Sequence, residues 1–178
     1  MPTPREATPE KPKPAKKADK PEDAIKLLTE DHREVEALFK KFEEAKEDNS
    51  EKADIVAQIC DALSTHAEIE EDIFYPAARD ALSEKGEDLL DEAEVEHASI
   101  KSLVAQLEEA EPDDDLYDAK VKVLTEYVKH HVQEEEGELF PKVKKTGLDL
   151  DQLGAEMFER KTELMADDAE AEEEDNPE

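Results

Sequence analysis

HAEIEEDIFYP, residues 66–76, recurs 65 positions later as HVQEEEGELFP, residues 131–141. Each copy begins with a histidine, carries a glutamate four residues further on and ends with a proline. Residues four apart lie on one face of an α-helix, so each copy predicts a histidine and a glutamate that point the same way. The chain has only five histidines. Their placement at the head of both copies indicates a repeated helix with a functional face.

The same offset aligns the helices that precede these copies. DHREVEALFKKFEEA, residues 31–45, matches EHASIKSLVAQLEEA, residues 96–110, without a gap and pairs His32 with His97. Two histidine pairs that share one offset indicate an internal duplication. The sequence therefore predicts two helical hairpins related by a pseudo-two-fold axis, each of which contributes the same residues to the interior.

Apolar residues recur at helical spacing between the charged ends of the chain. Pro76 lies inside one of these segments, where it would kink the helix or end its straight part. Short connections between such segments predict an all-α fold, an up-down-up-down four-helix bundle over residues 22–146. Residues 147–165 predict a short fifth helix that closes one end. The four long helices are expected at about residues 21–46, 51–83, 88–111 and 115–145.

Both ends of the chain are strongly charged. Residues 1–21 are rich in lysine and proline, and residues 166–178 carry acidic residues and no base. Such segments cannot bury a core, so we expect a disordered arm at the N-terminus and a disordered acidic tail at the C-terminus. A weak contact of the arm with an acidic surface is the alternative interpretation.

The net charge of −30 restricts the partners that the chain can bind. So acidic a surface repels nucleic acid and anionic lipid, which bind clustered lysine and arginine. The N-terminus lacks the apolar middle of a secretory signal, and no apolar run of about 18 residues is long enough to span a membrane. We expect a cytoplasmic protein with a small-molecule ligand and with neither a nucleic-acid nor a membrane partner.

The single cysteine, Cys60, excludes an intramolecular disulfide and a cysteine-based zinc cluster. Its helical phase matches that of Ile59 and Leu63, so we expect a core side chain rather than a redox thiol.

Four histidines are predicted to lie at one level of the bundle. At about 1.5 Å per residue, they stand roughly 21–24 Å from the loop of their own hairpin. Glu70 and Glu135 lie one helical turn from two of them. Taken singly, each histidine fits a half-buried side chain with a local partner, and each glutamate fits a solvated face. Taken together, they favour a cation, because each unpaired buried charge would cost several kcal/mol. The four histidines are His32, His66, His97 and His131.

Imidazole and carboxylate donors suit iron, zinc or manganese, whereas calcium prefers oxygen ligands alone. Two ions, each with two histidines and both bridged by Glu70 and Glu135, would leave open positions for water, an oxygen species or peroxide. The paired arrangement favours two ions. Redox chemistry at those positions favours iron, with zinc or manganese as the alternatives.

The order of these motifs closely resembles the haemerythrin-like, or HHE cation-binding, domain family. EDHREVEALF, HAEIEEDIFYP, EVEHASIKSL and HVQEEEGELFP carry the resemblance, which covers about residues 22–146. It implies a non-haem di-iron centre, with an oxo or hydroxo bridge, that binds dioxygen, nitric oxide or peroxide. The ligands that it implies are His32, His66, Glu70, His97, His131 and Glu135.

One position departs from the pattern of the family's oxygen carriers. Those proteins have two histidines four apart in the third helix, whereas Ala93 and Lys101 stand four residues either side of His97 here. The missing imidazole favours peroxide consumption or the sensing of iron and oxygen over oxygen carriage. Glu94, three residues before His97, is a candidate for an additional carboxylate ligand.

Three functions therefore stay open. The first is a di-iron protein that binds or senses a small oxygen or nitrogen species. The second is a peroxide-consuming di-iron oxidoreductase. The third is a regulatory module that gains stability on binding metal and reports the change to a partner protein, whose identity the sequence does not indicate.

Two further side chains lie near the predicted level of the site. His130 points about 100° away from its neighbour His131, so we expect it outside the site or behind its ligands. Tyr127, one turn before His131, either hydrogen-bonds near the metals or packs, and we expect packing because its repeat counterpart is Ala62.

Overall fold

The computed structural model of the chain describes residues 23–45 and 49–174, with side chains described as far as residue 166. The lysine- and proline-rich arm predicted at residues 1–21 lies outside these ranges, as do the last four residues of the predicted acidic tail. All regular elements within the described ranges are helical. The prediction of an all-α bundle is confirmed.

The first hairpin consists of two long helices. α1 spans Ala24–Ala45. The second helix has three consecutive parts: α2, Asn49–Ile69, a first π-helical turn, Glu70–Phe74, and α3, Tyr75–Ala81. The Asp23 carboxylate caps α1, because its Oδ1 accepts a hydrogen bond of 2.8 Å from the backbone N–H of Lys26.

The second hairpin repeats this construction. α4 spans Glu84–Glu108 and begins four residues before its predicted start. The helix that follows consists of α5, Tyr117–Glu134, a second π-helical turn, Glu135–Leu139, and the short α6, Phe140–Val143. The pseudo-two-fold relation predicted from the 65-residue offset therefore extends to the irregular turns.

The two π turns allow each helix to continue past its repeated proline. Each turn closes with a backbone hydrogen bond between residues five apart. The N–H of Tyr75 donates to the Glu70 carbonyl, and the N–H of Phe140 donates to the Glu135 carbonyl. The wider turn moves the preceding carbonyls away from the ring of the proline that follows. The second helix consequently continues past Pro76 to Ala81.

The apolar core consists of two clusters separated by the level of the histidines. The first, on the side of the α1–α2 and α4–α5 connections, includes Phe39 and Ile59. The second, on the opposite side, includes Leu28 and Phe74. Cys60 is buried in the first cluster, and burial raises the pKa of its thiol to about 12. The prediction of a core cysteine agrees with this position.

α7, Leu150–Glu174, is the fifth helix, and its 25 residues make it longer than the helix predicted at residues 147–165. It takes in residues 166–174, the first part of the predicted acidic tail. Alanine and glutamate dominate the stretch, and their high helix propensity continues the helix beyond its packed part. α7 lies along α1, α2 and the first π turn rather than only closing one end.

A glycine precedes α7 where the chain reverses direction. Gly147 has a φ of 86°, in the left-handed region that other residues adopt with strain. No helix within residues 23–45 or 49–174 combines the length and the apolar character required to cross a lipid bilayer.

Candidate metal centre

All six residues predicted as metal ligands meet in the interior of the bundle. The histidines come from four different helices, α1, α2, α4 and α5, and the two glutamates open the two π turns. Each of the six side chains is buried, with at most 6% of its surface exposed. The residues are His32, His66, Glu70, His97, His131 and Glu135.

Glu70 lies between histidines of the two hairpins. Its Oε2 atom is 3.2 Å from Nε2 of His66, one turn earlier in the same helix. The same oxygen is 3.3 Å from Nε2 of His97 in α4. A single carboxylate thus contacts both halves of the duplication.

Glu135 occupies the equivalent position in the second hairpin. Its Oε2 atom is 3.5 Å from Nε2 of His131 and 3.3 Å from Nε2 of His32 in α1. Each carboxylate therefore lies between a histidine of the first hairpin and a histidine of the second, which is the position expected of a bridging ligand.

The donor atoms form two overlapping groups, and within each group they lie within 4.8 Å of one another. Glu70 belongs to both groups, which is the arrangement expected for two cations that share a carboxylate. The first group contains His32, His66, Glu70 and Glu135, and the second contains Glu70, His97 and His131.

Several of the inward-facing atoms are buried without a hydrogen-bond partner. They include Nε2 of His32 and His66, Oε1 of Glu70 and Oε2 of Glu135. Each buried polar atom left unpaired costs about 1–3 kcal/mol, and a cation would coordinate these lone pairs. The donor set therefore fits a metal.

The Nδ1 atom of each histidine faces a carboxylate on the outer side of the ring. We call the four residues concerned the outer carboxylates. They hold the rings so that Nε2 points inward, because an Nδ1–H that donates outward leaves the Nε2 lone pair free for a metal. The Nδ1 to carboxylate distances are 2.9 Å for His32 and Glu136, 3.5 Å for His66 and Asp31, 3.0 Å for His97 and Glu71, and 2.8 Å for His131 and Glu96.

With the proton on Nδ1 of both rings, His97 and His131 direct their Nε2 lone pairs at each other. Their Nε2 atoms are 3.1 Å apart, and the ring centroids are 4.6 Å apart. Two facing lone pairs repel unless a proton or a cation lies with them. This pair therefore supports the same conclusion as the unpaired atoms.

Sequence reasoning missed the outer carboxylates, although a signal for them was present. Asp31 and Glu96 each precede a predicted histidine ligand, and Glu71 and Glu136 each follow a predicted glutamate ligand. Both pairs share the 65-residue offset. An acidic residue beside four of the six ligands, repeated in both halves, is the signal, although spacing along one helix does not show which ring each carboxylate faces.

Tyr75 is a further site residue that the sequence did not identify. Its hydroxyl is buried, donates a hydrogen bond of 3.0 Å to Oε1 of Glu135 and lies 3.3 Å from Nε2 of His97. Burial raises the pKa of this phenol, and the carboxylates of Glu70 and Glu135 raise it further. The hydroxyl therefore stays protonated. Its repeat counterpart is Phe140, which stacks on His32 instead.

The two central carboxylates are driven towards different protonation states. Burial raises the pKa of Glu70, and the nearby Glu135 charge raises it further. Burial opposes ionisation of Glu135 as well, but His131 and His32 outweigh it and lower the pKa of Glu135 to about 2. The metal-free pair consequently keeps a proton on Glu70 while Glu135 is ionised.

The structure places Glu94 outside the site. Its carboxylate pairs with Arg79 at 2.7 Å, and its side chain is half exposed. Ala93, rather than Glu94, is the buried residue of this turn and packs in the second apolar cluster. Glu94 is therefore not among the residues that the structure brings together at the site.

Two further predicted residues lie outside the six-residue cluster. His130 lies there as expected, with its Nε2 atom 3.3 Å from Glu96. Tyr127 lies on the surface of α5, where its side chain is 47% exposed.

The bundle and its buried histidine–carboxylate cluster are those of a cation-binding helical protein. The chain belongs to the Hemerythrin HHE cation binding domain family, whose sequence model matches residues 23–143. The resemblance that the four motifs indicated is confirmed.

Two known proteins are similar to this chain. A crystal structure of a Hemerythrin HHE cation binding domain-containing protein from Mycobacterium kansasii has a TM-score of 0.70 and 25% identity. The match covers 82% of this chain and 88% of that one. A DNA nickase from Nostoc sp. is 30% identical over 123 residues, 69% of this chain. The match covers 33% of the nickase, so this chain spans about a third of that relative's length.

Proposed function

We propose that this chain holds two non-haem iron ions and binds or senses a small oxygen or nitrogen species such as dioxygen, peroxide or nitric oxide. The observation that carries the proposal is the position of each glutamate between histidines of different hairpins, with the facing atoms unpaired. The proposed ligands are His32, His66, Glu70, His97, His131 and Glu135.

The donor chemistry suits iron, and the proposed redox chemistry favours iron over its competitors. Imidazole and carboxylate donors suit iron, manganese and zinc, and the chain's cysteine is buried in a core cluster rather than near the site. A pair of iron ions would supply redox chemistry towards small oxygen and nitrogen species. Zinc or manganese would occupy the same donors and is the alternative that metal analysis separates.

A small cavity beside the histidines supports a small ligand. Its volume is about 20 Å³, and its lining combines the four imidazoles and Asp31 with apolar side chains. A space of this size holds about one water-sized molecule. An apolar wall favours an uncharged ligand over a hydrated ion. The apolar residues in the lining are Val35, Leu63, Ala67, Ile100, Val128 and Val132.

Tyr75 favours peroxide consumption as a second candidate function. Its hydroxyl bonds to Glu135 inside the site, and its side chain also lines an open cavity of about 580 Å³ between α3 and α4. With iron bound, a neutral phenol in this place would hold a proton beside the peroxide and exchange it with the cavity.

DNA nicking, named for the Nostoc relative, is not a property that we propose for this chain. The net charge of −30 disfavours a polyanionic substrate. The chain also corresponds to only about a third of that protein.

Metal analysis of protein purified without an affinity tag tests the main proposal. We expect about two iron ions per chain and an absorption spectrum that changes when peroxide is added. Replacing Glu70 and Glu135 together by alanine should abolish iron binding. Glu138→Ala, at an exposed position of the same helix, is the matched control and should retain it. One zinc ion per chain, or no metal, would contradict the proposal.

Oxygen evolution tests the second candidate. Iron-loaded protein should release oxygen from hydrogen peroxide, and His97→Ala should lose this activity. Iron-loaded protein that releases none would exclude peroxide disproportionation while leaving ligand binding intact.

A further inference from the structure

The four outer carboxylates have two kinds of partner. Asp31 contacts Lys161, Glu71 contacts Lys101, and Glu136 contacts Arg33. Glu96 is different, because in the described part of the chain its Oε1 atom faces His130, whose Nε2 atom is 3.3 Å away. A permanent cation is thus replaced at one position by a side chain that can itself coordinate a metal.

A third donor lies beside this pair. Glu134, one turn after His130 in α5, places its Oε1 atom 3.4 Å from Nε2 of His130. Ligand atoms of Glu96, His130 and Glu134 all lie within 4.8 Å of one another. The His130–Glu134 spacing repeats the His131–Glu135 spacing of the buried centre, one residue earlier and on the outer face of the helix.

The three side chains can be reached from solvent. The His130 side chain is 61% exposed, that of Glu134 is 30% exposed, and that of Glu96 is 17% exposed. The carboxylates of Glu92 and Glu138 lie close enough to interact with the charge of Glu134. The surroundings therefore attract a cation.

We propose that Glu96, His130 and Glu134 form an outer binding site for one divalent transition-metal cation. One imidazole with two carboxylates suits Zn²⁺, Co²⁺ or Ni²⁺, whereas Mg²⁺ and Ca²⁺ prefer oxygen ligands throughout. Three protein donors leave a further position for water. The site is separate from the buried centre and does not depend on iron being bound there.

The outer site exists in one half of the duplication. The counterparts of His130 and Glu134 are Thr65 and Ile69, which offer no matching donors. Glu96 also accepts a hydrogen bond from Nδ1 of His131 through its other oxygen, at 2.8 Å. A cation on the outer oxygen of Glu96 would withdraw negative charge from that hydrogen bond. The outer site is therefore connected to the buried centre through one carboxylate.

Zinc titration of the full chain tests the site. With the buried centre saturated with iron and with millimolar Mg²⁺ present, calorimetry and metal analysis should find one additional Zn²⁺ per chain. His130→Ala and Glu134→Gln should weaken this binding at least about tenfold, since even residues behind a ligand have effects of that size. The matched control Lys129→Ala, which truncates the neighbouring side chain in α5, should leave it unchanged.

The same titration in a Glu70→Gln, Glu135→Gln double variant removes the buried centre from the measurement. Zinc should still bind at the outer site of this double variant. This binding should be lost when His130→Ala is added. A second readout uses the unmodified chain with ¹⁵N-labelled histidine, where Zn²⁺ should shift the imidazole signal that His130→Ala removes. This measurement stands even if the double variant does not fold.

Three outcomes would overturn the outer site. The first is a wild-type chain that retains no zinc or loses it to Mg²⁺. The second is equal zinc affinity in His130→Ala and wild type. The third is zinc uptake matched by an equal loss of iron, which would place the ion in the buried centre.

Discussion

The hydroxyl of Tyr75 donates a hydrogen bond of 3.0 Å to Oε1 of Glu135, a residue of the other hairpin. At the equivalent position of the second half, Phe140 stacks on His32 with a ring-centroid distance of 6.0 Å and offers no hydroxyl. The duplication is therefore symmetric in its histidines and central carboxylates and asymmetric at this aromatic pair. A phenol in one half can supply a proton that the other half cannot.

Tyr75→Phe should keep the iron content and lower the rate of peroxide consumption by about tenfold or more, because a positioned proton donor contributes at least that much. Iron content stays the same because the proposed ligands are unchanged. Stopped-flow measurement of peroxide decay gives the rate, and metal analysis gives the iron content.

Tyr127→Phe removes a hydroxyl from the exposed tyrosine of α5 and should leave both quantities unchanged. An unaltered peroxide rate in Tyr75→Phe would show that the phenol has a packing role alone.

Glu71→Gln should lower the affinity of the centre for metal by about 10- to 100-fold, the usual effect of losing a carboxylate behind a histidine ligand. The reason is that Glu71 accepts the Nδ1–H of His97 and is itself held by Lys101 at 2.6 Å. Competition with a chelator measures the affinity.

The neighbouring substitution Asp72→Asn is the control. Asp72 is half exposed and pairs with Arg160 outside the site, so the metal affinity should not change. Equal losses in the two variants would mean that charge on this helix, rather than orientation of His97, determines the affinity.

Metal binding should weaken as the pH falls. Burial and the Glu135 charge raise the pKa of Glu70, so a cation must displace a proton from this carboxyl. Affinity is therefore full above the raised pKa and falls about tenfold per pH unit below it for each proton displaced. His66 contributes no proton near neutral pH, because burial lowers its pKa to about 4.

Calorimetry in two buffers with different enthalpies of ionisation counts the released protons. Metal binding should release protons, and the number released should rise as the pH falls. Burial lowers the pKa values of His32 and His131, but Glu135 outweighs it and raises both, so these imidazoles release protons as well. An affinity that does not change with pH would contradict the assignment of the proton to Glu70.

Gly154→Ala should destabilise the protein by about 1–3 kcal/mol, the range seen for overpacked positions. A Cβ atom there would lie 2.6 Å from the backbone nitrogen of Ala24, so α7 must move away from α1. Urea unfolding measures the change.

Gly137→Ala provides the matched control. A Cβ atom at Gly137 has no neighbour within 4 Å, and the backbone does not have a positive φ. Stability should stay constant or rise by about 0.4–1 kcal/mol through the reduced freedom of the unfolded chain. Equal destabilisation in both variants would indicate that the α7–α1 contact is not close.

The long helices and the central cluster were predictable because both depend on spacing along one helix. Apolar periodicity marks the buried face, and a separation of four residues places His66 with Glu70 whatever surrounds them. The 65-residue offset then extends the argument to the second hairpin without knowledge of the packing. The predicted helix bounds differ from the observed ones by a few residues at the ends.

The outer carboxylates, Tyr75 and the outward position of Glu94 were not predictable in this way. Which side chain on one helix faces a ring on another depends on how far each helix is rotated about its axis, and neighbouring residues differ by about 100°. The π turns add a further local rotation after Glu70 and Glu135, which brings Tyr75 to face the second hairpin.

The sequence by itself determined that the chain forms two helical hairpins and that histidine and glutamate pairs meet at one level, because both follow from regular spacing. Only the tertiary structure decided that α7 runs along the first hairpin, that each histidine has a carboxylate behind it and that Tyr75 reaches Glu135. These features are contacts between helices, and their geometry is set by the packing of the whole core.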